Sequence, residues 1–252
     1  MKLNSIFYAC LLGIGSMTVA CTSETTTDTN PPAPDFNLSE SDPEAIALAD
    51  RIMEAMGGRA AWDDVEVIEW TFFGRRKHWW NKQSGDIRIE SINDSTIYLM
   101  NLKSNEGKVK SGQNEVTNPD ALKNLLSNAN SMWINDAYWL VMPFKLKDSG
   151  VTLQYVGKDT LLTGDAADRL ALTFQNVGDT PDNKYHVWVD ENNLIQQWAF
   201  FRSATDSLPQ FITPWTSYHQ YGAILLSGDR GKYQLTDIAV HPNNRPELFN
   251  QF

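Results

Sequence analysis

The sequence predicts an α+β fold: a large curved antiparallel sheet, an unclosed β-barrel of about eleven strands, wrapped around a few helices. Three observations carry that prediction. An amphipathic run with the helical period opens the folded region, hydrophobicity then alternates with period two through much of the chain, and one helical stretch interrupts the strands. Strands in runs, with helices kept apart from them, distinguish this pattern from a parallel sheet of alternating strands and helices.

The first helix starts at Ser41 or Asp42, either of which can cap it. Pro43 sits in the first turn, and Glu44 completes a capping box with Ser41. Ile46, Ala49, Met53 and Met56 then share one face, with Leu48 and Ile52 beside them. Gly57-Gly58 stops the helix. From Val65 the period becomes two: Ile68, Trp70 and Phe72 share a face opposite Glu69 and Thr71. Further strands are expected at 78–81, 86–91, 96–102 and 107–110, joined by short polar loops as in a meander.

Asn118-Pro119-Asp120 caps the helical insertion, whose stripe is Leu122, Leu125, Leu126 and Ala129. A second short helix is expected over Asp136 to Val141, ended by Pro143. Strands resume at 151–157, 170–175, 185–190, 194–202, about 217–226 and 234–240. Tyr185–Asp190 and Leu194–Arg202, joined through Glu191-Asn192-Asn193, form the clearest hairpin.

The N-terminus has a different character. Lys2 precedes an apolar run from Ile6 to about Ala20 that is short for a membrane span and closes on small residues. Residues 1–20 therefore read as a secretion signal. Met17-Thr18-Val19-Ala20-Cys21 resembles the lipobox of bacterial lipoproteins, with Thr18 in place of the usual Leu. That resemblance implies cleavage before Cys21, acylation of Cys21, and attachment to the membrane through its acyl chains, in the bacterial cell envelope and at the outer membrane. A plain secretory signal cut near Ala20 is the alternative. Residues 21–40, rich in Thr, Ser, Asp and Pro, are expected to be a lipidated flexible tether. Residues 41–252 remain as a single domain.

Composition narrows the function classes. Cys10 and Cys21 are the only cysteines, so the domain has no disulfide and relies on its core. The formal charge is −10, which argues against nucleic acid as a partner. Arg75-Arg76-Lys77 reads as a solvated turn rather than a binding patch.

Three segments carry a family resemblance: AIALADRIMEAMGGRAAWDDVEVIEWTFFG, DAYWLVMPFKLKDSGVTLQYVG and KYHVWVDENNLIQQWAFFR. Together they resemble bacterial lipoproteins related to the LolA/LolB-type lipoprotein carriers and the LppX-type lipid-binding lipoproteins. The resemblance implies a LolA-like half-barrel with an apolar cavity between sheet and helices, holding acyl chains. It implies no catalytic residues and no cofactor, and the chain is expected to act as a monomer.

Signatures of chemistry are sparse. The chain lacks a G-x-S-x-G elbow, an H-E-x-x-H motif, a phosphate loop and a dinucleotide fingerprint. His78, His186, His219 and His241 lie at no metal-ligand spacing, and His186 reads as a hydrogen-bonded or solvent-facing strand residue. The acid pairs Asp63-Asp64 and Asp190-Glu191 read as turn charges.

Nine Trp residues are the stronger signal. They either fill a wide interior or line a ligand cavity. Trp70, Phe72, Tyr98, Trp139, Trp198 and Phe200 are the candidate ligand-binding residues, and the ligand is a lipid or other hydrophobic molecule. Helices Ile46–Met56 and Ala121–Met142 are expected to act as adaptable lids. Two other functions stay open: a surface glycan binder stacking sugars on Trp79 or Trp215, and an exported hydrolase using distant acids.

Overall fold

A computed structural model describes residues 28–252; residues 1–20, expected to be a secretion signal, and Cys21 lie outside the described residues. After a 3-10 turn at Leu38–Glu40 come helices α1 (Pro43–Ala55) and α2 (Gly58–Asp64). A meander follows: β1 (Val67–Phe72), β2 (Arg76–Asn81), β3 (Asp86–Ser91), β4 (Thr96–Asn101), β5 (Glu106–Ser111) and β6 (Asn114–Glu115). Helix α3 (Pro119–Val141) and a 3-10 turn (Met142–Lys145) lead into β7 (Val151–Thr160), β8 (Ala166–Phe174), β9 (Lys184–Val189), β10 (Ile195–Phe201) and β11 (Phe211–Pro214). The chain closes with β12 (Thr216–Tyr221), β13 (Ile224–Arg230), β14 (Tyr233–His241) and the short helix α4 (Pro246–Asn250).

These strands form two antiparallel sheets, in the orders β12-β13-β14-β1-β2-β3-β4-β5-β6 and β11-β10-β9-β8-β7. The fold is thus α+β with open, unclosed sheets. Its strands divide into nine and five rather than forming one sheet of about eleven. The expected strand over 217–226 is in fact a hairpin, β12 and β13, turned at Gly222 in the left-handed region (φ +60°). Strand β11 starts two residues after Pro209 and ends on Pro214, too short and too proline-bounded to register as a period-two run.

The alternation in β1 places Ile68, Trp70 and Phe72 in the main core. That core runs continuously from α1 through the inner face of the larger sheet to α3 and the five-stranded sheet. On the outer face, Val67, Trp79 and Phe249 make a small separate cluster beneath α4. Gly57 fixes the joint between α1 and α2. Its φ is +115°, and a Cβ there would meet the Ala223 carbonyl oxygen at 2.3 Å. The chain therefore turns at Gly57, but Gly58 restarts a helix instead of ending one.

The start of α1 departs from the capping-box expectation. Asp42 is the N-cap residue and its side chain caps nothing in the helix. Ser41 Oγ instead accepts the Leu153 amide at 3.0 Å, and Asp42 Oδ2 accepts the Tyr155 amide at 2.9 Å. Both side chains thus satisfy edge strand β7. The preceding residues do the same with backbone: Gly150 N–H donates to Asp35 O at 2.7 Å, and Asn37 N–H to Val151 O at 3.1 Å. The expected tether over 21–40 is therefore corrected for its described part. Residues 33–40 lie along β7, and Phe36 is buried, because an open strand edge leaves backbone donors and acceptors that this segment pairs.

The insertion is one continuous helix of 23 residues, not two. Asn118 caps it, accepting the Ala121 amide at 3.0 Å. The polar stretch between the two apolar stripes stays helical because the turns before it (Leu126, Ala129) and after it (Ala137, Leu140) are buried in the main core. Gly107 lets α3 approach β5: a Cβ there would meet the Leu99 carbonyl oxygen at 2.2 Å and Leu126 Cδ2 at 3.1 Å. Among the described residues, no helix is long and apolar enough to cross a membrane.

Candidate functional site

A cavity of about 840 Å³ lies between the C-terminal half of α3 and one end of the five-stranded sheet. Strand register explains why aromatic rings gather there. Tyr185 pairs with Phe200, and Phe200 with Phe211, so β9, β10 and β11 present rings side by side at the same end of the sheet. Trp139 descends from α3 to meet them. Its ring is edge-on to Trp198 at 4.7 Å, while Tyr185 stacks on Trp198 at 5.1 Å. Tyr138, one residue earlier, reaches Tyr185 at 5.4 Å. Burial raises the Tyr138 hydroxyl well above its ordinary range, with the nearby Tyr185 adding to the effect, so it stays a neutral phenol. Exposed Asn135, Asp179 and Thr180, with Phe211 at 38% exposure, mark the mouth.

Two polar anchors hold α3 in place behind this wall. Asp136 is fully buried and accepts from Arg76 at both oxygens, at 2.6 Å from Nε and 2.9 Å from Nη2. His78 Nε2 adds a bond to Asp136 Oδ2 at 2.8 Å, and the imidazole stacks on Trp70 at 4.6 Å. Burial holds the His78 pKa below its ordinary value despite the opposing pull of Asp136, which leaves a neutral ring donating from Nε2. Burial alone would raise the Asp136 carboxyl. The bonds from His78 and Arg76 outweigh it and bring the net shift downward. The second anchor is Arg230 on β13. Its guanidinium stacks over Trp215 at 3.4 Å and donates to the Trp139 carbonyl at 2.6 Å. A cation at this last-turn carbonyl also complements the helix dipole.

These anchors correct two expectations. Arg75-Arg76-Lys77 is not merely a solvated turn, since Arg76 is recruited by an acid sixty residues along the chain. The glycan stacking assigned to Trp79 or Trp215 fails on burial. Trp79 is 8% exposed beneath Phe249, with Lys77 and Arg88 over its ring, and Trp215 is fully buried, with Arg230 over its ring and Trp198 edge-on to it.

The candidate residues separate into two groups. Trp139, Trp198 and Phe200 line the cavity. Trp70, Phe72 and Tyr98 do not; they are packed into the core beside the helices. They sit on the inner face of β1 and β4, but that face is covered by packed side chains. The lid role expected of Ile46–Met56 also fails, because Met53 and Met56 are core residues and α1 contributes nothing to the cavity. Sequence reasoning missed Trp133, Tyr138, Tyr185 and Phe211. Tyr185 was recoverable, since it shares a strand face with inward-facing Val187, and Tyr138 would have followed from reading α3 as one helix.

A separate cluster lies on the opposite face of the five-stranded sheet. Arg169 Nε donates to His186 Nδ1 at 2.8 Å, and Asp159 Oδ2 accepts from Arg169 and from the Trp188 indole. Burial, reinforced by the Arg169 charge, lowers the His186 pKa to about 4. The Asp63-Asp64 pair is the C-terminal end of α2 rather than a turn.

Comparison with protein-family models and with curated proteins gives no match. Among solved structures, the chain is similar to a DUF1329 family protein from Desulfovibrio piger, with a TM-score of 0.46 and 12% identity, covering 83% of this chain and 98% of that one. It is also similar to an uncharacterized conserved protein from Thermus thermophilus, with a TM-score of 0.24 and 9% identity, covering 63% of this chain and 77% of that one.

Proposed function

We propose that the protein is a non-enzymatic binder of an apolar or acyl-chain ligand, held between α3 and the five-stranded sheet. One observation carries this reading: the cavity of about 840 Å³ is walled by aromatic side chains from α3 and from strands β8 to β11, and opens at a polar rim. That volume falls in the range of about 300–1,000 Å³ typical of small-ligand pockets, and mostly apolar walls with a few polar groups are their usual lining.

Desolvation supplies the affinity. A tail of about 14 methylenes gains on the order of 11 kcal/mol at roughly 0.8 each, before the entropy of immobilisation is subtracted. Rigid rings pinned through Asp136 and Arg230 lose little freedom on binding, which keeps that subtraction small. Attachment of Cys21 to the outer membrane belongs to the same proposal, with the domain working close to the lipid surface.

Mass spectrometry of organic extracts from the purified full chain, with titration of the uncharged fluorophore N-phenyl-naphthylamine, tests the reading. The expected result is a co-purified lipid and saturable fluorophore binding, both lost in Ser131→Trp, which fills the cavity from α3. A folded wild-type protein that carries no lipid and binds no fluorophore overturns it.

A further inference from the structure

The cavity is not uniform along its length. Its wall crosses the five-stranded sheet from β7 to β11, and chemistry changes along that path. At the β11 edge the lining is Trp139, Trp198, Phe200 and Phe211. At the β7 edge it is Lys145, Asp148 and Ser149, from the turn that precedes Val151. The β8–β9 loop joins this polar end, because Val177 sits over Gly150 and brings Asp179 and Thr180 with it.

The charges at the polar end do not balance. Lys145 is already paired with Asp148, and Asp179 adds a second carboxylate to the lining. Neighbouring cations are engaged elsewhere. Lys147 is bound to Asp50, and Lys184 donates to the Ala204 and Asp206 carbonyls. Among the described residues, an anionic head entering here meets an acidic wall whose one lining cation is committed, on a molecule whose formal charge is −10. A hydroxyl or ester head meets donors and acceptors without that repulsion.

We infer that the ligand is an amphiphile with an uncharged, hydrogen-bonding head of the glyceryl-ester type, seated with its head at Lys145–Asp148 and its tail under Trp139 and Phe211. This rests on the cavity being an apolar-ligand site, and it adds head-group selection and orientation to that reading.

Calorimetric titration of the delipidated full chain with a monoacylglycerol and with the fatty acid of equal chain length tests it, at about pH 8, where a carboxylate is ionised. The monoacylglycerol is expected to bind at least about tenfold tighter, the scale on which like charges penalise a partly desolvated contact. In Asp148→Asn/Asp179→Asn, which frees Lys145 and removes both acids, that ratio is expected to shrink towards one or invert. Equal or tighter fatty-acid binding by the wild type, or a ratio the double substitution leaves unmoved, overturns the inference while the cavity reading stands. Binding of neither ligand overturns both.

Discussion

Replacing Asp136 with Asn probes how α3 is held against the larger sheet. The carboxylate is fully buried and takes two bonds from Arg76 and one from His78. Asn keeps the shape and one acceptor but removes the charge and places an amide donor against a donor. Breaking one side of a buried pair costs about 3–5 kcal/mol when the remaining charge is trapped. Arg76 is not fully trapped, because 22% of its side chain is exposed. Discounting for that solvent access gives about 2–4 kcal/mol for Asp136→Asn. Urea unfolding is the assay, read as a lower midpoint at unchanged slope. A double-mutant cycle with Arg76→Met then isolates the pair, with an expected coupling of about 1–3 kcal/mol. A loss under about 0.5 kcal/mol for Asp136→Asn, or additive single variants, refutes the anchoring argument.

Other consequences are equally direct. Gly57→Ala, at φ +115° with its Cβ 2.3 Å from a carbonyl oxygen, is expected to cost more than about 1 kcal/mol and lower the melting temperature; an unchanged melting curve contradicts the close approach to Ala223. His78 and His186 both have folded pKa values below 6.5, so the unfolded chain takes up protons first as pH falls. Stability should therefore be full above the unfolded histidine pKa and decline from there towards about 4, the folded value at His186, and His186→Gln should flatten that decline in pH-dependent urea titrations. Removing residues through Ser41 uncovers β7, and light scattering should show more self-association than in the full chain; a truncated protein that associates no more than the full chain contradicts the edge-covering role.

The local physics of the chain was enough to determine the class of fold. Pro43 and Gly57 bracket α1, and the two-residue alternation of Ile68, Trp70 and Phe72 commits β1 to a buried face, because both signals depend only on neighbours a few residues away. Trp139, Trp198 and Phe200 could be singled out as large apolar side chains on helix or strand faces. Which of the inward rings border empty space could not be read this way. Trp70 and Trp198 have the same pattern in sequence, yet one packs beneath His78 and the other borders the cavity, because that depends on what the opposite layer brings. The same limit hid Arg76–Asp136 and the pairing of residues 33–40 with β7. Each joins groups more than fifty residues apart, and only the packed chain brings such groups within bonding distance.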